Sequence, residues 1–496
     1  MVFSTPIFLT IFFPLVLLGA WGLGWMARRF CAWRGMEFAW GPVNLLLLAA
    51  SLGFYFWGEG WGVAWLVASV CFNAACARVV AACEKEWARR WGLGVAIAGN
   101  LAFLGWFKYA AFAARSLNVL PGVTLPIPQV ALPLGISFYT FQAMSYVWDV
   151  FRREVPPARR LTDFACYLTF FPQLVAGPIV RYADIAAGLQ SRNVELERVA
   201  SGFKRFLCGL AKKTLLANVV AEAVDAIWAV VEQGSGVPLP IAWAGAIGYA
   251  LQIYYDFSGY SDMAIGMGRM FGFDFKENFL HPYSALGIRD FWRKWHISLS
   301  SWFRDYLYIP LGGNRHGTAR TIVNGMIVFG LCGLWHGASA MFILWGLWHG
   351  LFLTMERLCL RNKPGTAKSG FLRQWPLHLL GHAYTWAVVL AGWVLFRSES
   401  LSSAARMFQS LAGMGDVARE ARALWLCLSP KVLWALGIGL LLSLPVAPAL
   451  RKLIRRTFAN PVWSECLEWL VLTFLGLAAL LFLAGGAYNP FIYFRF

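Results

Sequence analysis

Apolar runs of about twenty residues recur along this chain, and short polar loops separate them. The first run, residues 5–25, leads to Arg28, Arg29 and Arg34, and a later run at residues 61–82 also ends in a basic cluster. A run of this length crosses a bilayer as a helix, because backbone groups inside hydrocarbon must be hydrogen-bonded within the segment. The pattern therefore predicts an all-α polytopic membrane protein with about twelve transmembrane helices.

Composition supports this fold class and argues against nucleic-acid binding. Hydrophobic residues make up 59% of the chain and charged residues only 14%, against about 25% in soluble proteins. The net charge of +18 comes from Lys and Arg clusters between apolar runs, which orient membrane helices and form no continuous basic face. Membrane lipid, and not nucleic acid, is the expected partner. The ten cysteines show no paired spacing, so we predict neither disulfides nor a metal site.

Basic loops are expected on the cytoplasmic side, so the clusters also predict topology. We interpret the chain as one integral membrane domain, residues 1–496, with N-terminal helices in 1–160, a catalytic core in 161–360 and C-terminal helices in 361–496. The apolar run at residues 164–180 is broken by prolines and has basic residues on both flanks. A segment that enters and leaves on one side explains both features, so this run is predicted to be re-entrant.

The pentapeptide Gly-Leu-Trp-His-Gly occurs twice, at residues 333–337 and 346–350. An intramembrane histidine is a functional-site hypothesis by default, although Gly-xxx-Gly spacing also serves close helix packing. Residues 321–356 must cross twice, yet 36 residues give only roughly 54 Å of helix, less than two hydrocarbon layers of about 30 Å. His336, at the turn, should therefore lie within the protein at a locally thin place.

Two further polar segments lie near the predicted cytoplasmic side. Aromatic residues from Trp292 to Tyr306 follow helical spacing, which predicts an amphipathic interfacial helix over 289–306 with His296 on its buried face. A hydrogen-bonded structural histidine would give the same pattern. Asp256 and Asp262 lie among Gly and Ser, which indicates a helix break with caps, Asp262 pairing with Arg269.

The chemistry that these residues favour is proton transfer at a buried site. An imidazole has a near-neutral pKa, and burial keeps it neutral and able to take a proton from a hydroxyl. The sequence has no HExxH, EF-hand, P-loop or GxGxxG pattern, and no serine nucleophile with a matching acid partner. Attack of an alcohol on an activated acyl group fits this set of residues.

Three ordered motifs together resemble the membrane-bound O-acyltransferases. They are Tyr-Asp-Phe-Ser-Gly-Tyr-Ser-Asp at 255–262, Phe-Trp-Arg-Lys-Trp-His-Ile-Ser-Leu-Ser at 291–300 with its continuation to residue 315, and Gly-Leu-Trp-His-Gly at 333–337. The likeness is greatest to the bacterial alginate O-acetyltransferase subgroup. Residues 1–4, 171–178 and 491–494 also look like that subgroup, so the resemblance extends over almost the whole chain.

The resemblance implies a bowl of tilted helices with a thin central core, in which His336 is the catalytic histidine and His296 a second essential polar residue. It also implies an acetyl-CoA donor that is reached from the cytoplasm, with no tightly bound cofactor. The acetyl group would pass to an extracytoplasmic esterase-like acyltransferase partner and then to a polysaccharide acceptor. The implied location is the bacterial inner membrane.

We combine the two arguments into one mechanism. His336 accepts the hydroxyl proton, and His296 or a neighbouring donor stabilises the developing oxyanion. Four basic side chains are candidates for binding the CoA phosphates, although each also suits an ordinary positive-inside residue; they are Arg289, Arg293, Lys294 and Arg304. The resemblance assigns no role to His349.

Other functions remain open at this stage. Within the family, a D-alanyl transferase that uses a carrier-protein thioester is the main alternative. A polytopic transporter could also hold intramembrane histidines, although this chain shows no second half with matching helix interruptions. A noncatalytic scaffold for polysaccharide export is a third possibility. The sequence leaves the acceptor open among alginate, cellulose, peptidoglycan and other glycans.

Overall fold

The computed structural model describes residues 3–360, 371–415, 420–458, 460–486, 488–490 and 492. No residue in these ranges lies in a β-strand, and the ten cysteines are all free thiols, as predicted. Residues 361–370, most of the motif at residues 491–494 and the first two residues of the motif at residues 1–4 lie outside the described residues.

The helices form two compact units. Unit 1 comprises residues 1–209 and 260–276, and unit 2 comprises residues 210–259 and 277–496. Unit 1 contains α1 (Phe13–Arg34), α2 (Gly41–Glu59), α3 (Val63–Ala82), α4 (Glu86–Leu104), α5 (Ala110–Leu117), α6 (Ile136–Arg152), α7 (Leu161–Thr169), α8 (Phe171–Leu174), α9 (Tyr182–Gln190) and most of α10 (Leu196–Ala211).

Unit 2 contains the residues that the sequence marks as functional. Its helices are α11 (Asn218–Glu232), α12 (Leu239–Met270, as far as residue 259), α13 (Ile288–Lys294), α14 (Ile297–Phe303), α15 (Gly317–His336), α16 (Ala340–Leu360), α17 (Phe371–Arg397), α18 (Leu401–Leu411), α19 (Pro430–Ser443), α20 (Val446–Thr457) and α21 (Pro461–Ala484). Short 3-10 or π-helical turns at Phe8–Phe12, Gly60–Gly62, Gly105–Tyr109, Lys212–Ala217, Pro282–Ser284, Arg304–Tyr308 and Glu420–Cys427 complete the helical elements of the described chain.

Several helices are long and apolar enough to cross a membrane, so the chain is a multi-pass membrane protein. Within the described residues there are seven such stretches, or eight if α19 and α20, bent by 74°, form one span. The stretch Gly41–Ala82 has 42 residues, or about 63 Å of helix, which is long enough for two crossings of a hydrocarbon layer of about 30 Å. The predicted total of about twelve is not confirmed by these stretches and stays a prediction.

The predicted re-entrant segment is broken where the sequence indicates. In unit 1, α7 ends at Thr169 and the four-residue α8 begins at Phe171, and irregular backbone follows as far as α9. All residues from 166 to 180 are buried by protein, which is the condition for irregular backbone at membrane depth. The side on which this segment enters and leaves stays a prediction.

The predicted helix break around Asp256 and Asp262 is wrong, because α12 continues through both residues. The predicted partner of Asp262 is also wrong. In unit 1, Asp262 pairs with Arg205 of α10 at 2.6 Å, whereas Arg269 donates to Ser201. Seven residues along one helix correspond to roughly 10 Å, so a cation on a neighbouring packed helix reaches the carboxylate more readily.

Candidate active site

The tandem pentapeptides form the crossing point of α15 and α16 in unit 2. A Cβ added at Gly333 would lie 2.1 Å from the backbone oxygen of Phe342, and one added at Gly346 would lie 2.1 Å from that of Phe329. Only glycine permits such an approach, so the packing role of the Gly-xxx-Gly spacing is confirmed. This tight hairpin fixes the position of the two histidines that follow those glycines.

His336 is the last residue of α15, and its side chain is only 4% exposed. Three aromatic rings surround it, with centroids 5.0 Å away for Trp335, 5.1 Å for Trp345 and 5.3 Å for Phe396. The prediction that the turn at His336 lies within the protein is therefore confirmed. The ring lies in an apolar environment where an electrostatic interaction is stronger than in water.

The segment around His296 is not the single helix that we predicted over 289–306. It consists of α13 and α14, separated by an extended Trp295 and by His296 in the left-handed region, with φ 43°. A non-glycine residue in this region costs on the order of 1–3 kcal/mol, and such strain persists only where the surroundings impose it. The prediction that His296 is buried is confirmed, since its exposure is 0%.

The loop before α13 imposes this conformation. The backbone N–H of Ile297 donates to the oxygen of Asn278, and the N–H of Leu280 donates to the oxygen of Lys294, both at 3.0 Å. The backbone around His296 is thus held on both sides by residues that lie well before it in sequence. Helical periodicity within residues 289–306 contains no information about these contacts, which is why the break was not predicted.

Asn278 also determines the tautomer of His296. Its side-chain Oδ1 accepts from the backbone N–H of Ser298 at 3.2 Å and from the Ser298 hydroxyl at 2.9 Å, and it lies 3.2 Å from Nδ1 of His296. A backbone N–H can only donate, so this oxygen is an acceptor, and a hydrogen bond from His296 to it requires the tautomer with the proton on Nδ1. In that tautomer of neutral His296, Nε2 is the unprotonated nitrogen.

The two predicted catalytic histidines are brought together, with ring centroids 6.5 Å apart. At this centroid separation, one hydroxyl oxygen can lie about 2.9 Å from a nitrogen of each ring. Phe257 packs edge-on against His296 at 4.7 Å. Burial lowers the pKa of His296, which lies outside the candidate membrane spans, to about 3, so this ring is neutral at physiological pH.

The four predicted CoA-binding side chains differ in their environments. Lys294 pairs with Asp290 at 2.8 Å, and Arg304 pairs with Asp305 at 2.6 Å. The side chains of the other two predicted residues, Arg289 and Arg293, are exposed and lie four residues apart, on one face of α13. These two arginines are therefore better placed than the paired residues to attract an anion from solution.

Sequence analysis did not identify two residues that position this site, Asn278 and Glu356. The Glu356 carboxylate on α16 accepts from the backbone N–H groups of Ile288, at 2.5 Å, and Arg289, at 3.0 Å, and so caps α13. A carboxylate seven residues after His349 gave no local signal of this role. Among the described residues, no group of three or more His, Cys, Asp or Glu side chains is arranged to hold a metal ion.

Comparison with known proteins identifies a family match over the region of the site. The model of the family described as "MBOAT, membrane-bound O-acyltransferase family" matches residues 156–402. Every predicted catalytic and CoA-binding residue lies within this range. The match therefore includes the α15–α16 hairpin, the segment around His296 and the Asn278 loop.

Curated relatives extend the similarity to the full chain. A "probable alginate O-acetylase AlgI" of Pseudomonas putida is 37% identical over 100% of both chains. A protein of the same name from Pseudomonas syringae is 40% identical over 84% of this chain and 76% of its own. A "peptidoglycan O-acetyltransferase" of Helicobacter pylori is 32% identical over 84% of this chain and 81% of its own.

Proposed function

This chain belongs to the membrane-bound O-acyltransferase family, and from that premise we propose that it moves an acetyl group from cytoplasmic acetyl-CoA to an extracytoplasmic polysaccharide. Its relatives named as O-acetylase and O-acetyltransferase support a membrane O-acetyltransferase. We further propose that an esterase-like protein outside the membrane receives the acetyl group first, and that the enzyme resides in the bacterial inner membrane.

One observation carries this proposal. Two buried imidazoles lie with their ring centroids 6.5 Å apart in an aromatic environment, and burial keeps one of them, His296, neutral with its Nδ1 3.2 Å from Oδ1 of Asn278. A neutral imidazole is a general base for a hydroxyl group, and two imidazoles this close together can bind the hydroxyl that reacts. Acyl transfer to an alcohol requires this proton acceptor beside the thioester.

The proposed reaction conserves atoms and charge. His336 takes the proton of the acceptor hydroxyl as its oxygen attacks the thioester carbonyl, which forms the new C–O bond. Collapse of the tetrahedral intermediate breaks the C–S bond, and the imidazolium of His336 returns the proton to the CoA thiolate. The products are an acetyl ester and free CoA.

The role that we expected for His296 changes with its tautomer. Neutral His296 directs its N–H to Asn278, so it has no second N–H to donate to an oxyanion. We propose instead that Nε2 of His296 is a second proton acceptor for the reacting hydroxyl, beside His336. A neighbouring donor then stabilises the oxyanion, and the indole N–H of Trp335, whose ring lies 5.0 Å from that of His336, is a candidate.

We propose that the chain crosses the membrane about twelve times around a thin core that brings both substrates to these rings. We also propose that Arg289 and Arg293 attract the CoA phosphates. Replacing both by Gln should raise KM for acetyl-CoA and leave kcat unchanged. The same variant should handle acetyl-pantetheine, which lacks those phosphates, like the wild type. An equal loss with both donors would contradict the phosphate role.

A donor assay tests the proposed function. Purified protein in proteoliposomes is given acetyl-CoA or a D-alanyl carrier-protein thioester, together with an acceptor hydroxyl, and thiol release and ester formation are measured. We expect acetyl-CoA alone to be consumed, with one ester formed per thiol. Consumption of the carrier thioester would instead identify a D-alanyl transferase, and flux of intact donor without ester would identify a transporter.

A further inference from the structure

The imidazole of the second pentapeptide, His349, is not used in the proposed mechanism. It is fully buried, and neither ring nitrogen has a hydrogen-bond partner among the described residues. A buried polar group without a partner costs about 1–3 kcal/mol, and native structures leave few of them. His349 has two such atoms, so its environment requires an explanation beyond packing.

Two tryptophans form a triangle with His349. The ring centroids of Trp292 and Trp345 each lie 5.3 Å from that of His349 and 5.8 Å from each other. Both indoles are buried, and both N–H groups also have no partner among the residues that the structure describes. We call His349, Trp292 and Trp345 the polar triangle. It offers two N–H donors from the indoles, and one donor and one acceptor from a neutral imidazole.

The hydrogen-bonding capacity of the polar triangle defines its ligand. A single carbonyl oxygen can accept two hydrogen bonds, and the imidazole lone pair needs a donor on the same ligand. A secondary amide fills three of the four sites of the triangle, through its C=O, which accepts from both indoles, and its N–H, which donates to the imidazole. The absence of a side chain at Gly392 on α17 lets the imidazole pack directly against that helix, because a Cβ there would lie only 2.7 Å from Nε2 of His349.

The position of the polar triangle relative to His336 narrows the choice of amide. Trp345 lies 5.1 Å from His336 and 5.3 Å from His349, so the two imidazole centroids are no more than 10.4 Å apart. In an acyl-pantetheine thioester, four covalent bonds separate the reacting carbonyl carbon from the first amide nitrogen, a reach of roughly 5 Å. A donor that reacts at His336 is therefore long enough to place this amide at the edge of the triangle.

We propose that the polar triangle binds the first amide of the pantetheine arm of the acyl donor and so sets the depth of the thioester at His336. This inference rests on the proposed function. The amide N–H donates to the imidazole of His349, and the indole N–H groups of Trp292 and Trp345 donate to the amide oxygen. The second pentapeptide thus positions the donor on which the first one acts.

Two non-reactive probes test this assignment. Both are acetyl-CoA analogues with a methylene in place of the thioester sulfur, and in the second an ester oxygen replaces the N–H of the first amide. Their Kd values are measured by calorimetry with the full chain in detergent micelles. For the wild type we expect the ester probe to bind roughly tenfold more weakly, because the imidazole loses its donor. For His349→Phe the two probes should bind within about twofold of each other.

Two further variants make the result decisive. Gly392→Ala places a Cβ against the imidazole of His349 and so displaces that ring, which should also reduce the tenfold difference in Kd between the two probes. This variant tests the proposal if His349→Phe does not fold. Trp393→Phe is the matched control, because its indole N–H already donates to Tyr283 at 3.1 Å. This control should keep the full difference between the probes.

The outcomes separate this inference from the proposed function. If the wild type binds both probes equally, or if His349→Phe and Gly392→Ala keep the tenfold difference, the triangle does not bind the amide, and this result leaves the proposed acetyl transfer unaffected. If the wild type binds neither probe and consumes no acetyl-CoA, the proposed donor is wrong and the inference is overturned with it. A difference that disappears only in those two variants supports the assignment.

Discussion

Gly333→Ala provides a quantitative test of the hairpin that holds His336. The added Cβ would lie 2.1 Å from the backbone oxygen of Phe342, whereas ordinary contact begins at 3.4 Å. The helices α15 and α16 must therefore separate by roughly 1.3 Å at this point, since a backbone oxygen cannot rotate away as a side chain can. Overpacking of this kind costs about 1–3 kcal/mol.

The same displacement should reduce catalysis. His336 lies one helical turn after Gly333, and a misplacement of about 1 Å can lower a rate about 100-fold. We therefore expect Gly333→Ala to lose about two orders of magnitude in kcat and to unfold at a lower temperature in detergent. Acetyl transfer from acetyl-CoA and thermal unfolding of the purified protein measure the two effects.

Gly325→Ala is the matched control on the same helix. Nothing lies within 4 Å of a Cβ at Gly325, so this change should only improve helix propensity, by up to about 1 kcal/mol. We expect wild-type activity and equal or higher thermal stability. If Gly333→Ala behaves like Gly325→Ala in both assays, the close approach of the two helices does not position His336, and this reasoning is refuted.

Three further predictions concern single contacts. Asn278→Ala removes the oxygen that accepts hydrogen bonds from Ser298 and His296, so kcat should fall roughly 10- to 100-fold with little change in KM for the donor. An unchanged kcat would exclude the idea that Asn278 sets the tautomer of His296. Burial lowers the pKa of His296 to about 3, whereas in the unfolded chain this residue binds a proton below about pH 6.5. Lowering the pH from about 6.5 toward 3 should therefore reduce the free energy of unfolding by up to roughly 1.4 kcal/mol per pH unit. His296→Gln should flatten this dependence of stability on pH, and an identical pH profile for the variant and the wild type would contradict the assignment. Lys213→Met leaves buried Asp256 without its cation and should destabilise the protein by about 3–5 kcal/mol. The double variant Lys213→Met with Asp256→Asn should regain most of this stability. Equal stability of the single and the double variant would refute a stabilising ion pair.

The membrane fold could be predicted because apolar length and loop charge act locally. Runs such as residues 5–25 and 61–82 specify helices by their own composition, and the structure places helices over both. The small-residue spacing around Gly333 and Gly346 likewise predicted close packing of two adjacent helices. These signals need no knowledge of distant residues.

The details of the candidate site depended on contacts between distant parts of the sequence. The break at His296 is imposed by Asn278, which lies 18 residues earlier. The partner of Asp262 is Arg205, 57 residues away on another helix, and no periodicity within α12 indicates it. Residue type indicated that these groups would be buried and paired, but only the packing of helices selected the partners.

Substitution of His336 by Ala tests the central claim most directly. The variant and wild type are compared for acetyl ester formed per enzyme from acetyl-CoA, with membrane insertion, thermal stability and binding of the non-reactive donor probe measured on the same preparations. We predict that ester formation is abolished while the other three properties are retained. Ester formation at the wild-type rate by an inserted, folded His336→Ala protein would contradict the assignment of catalysis to this histidine.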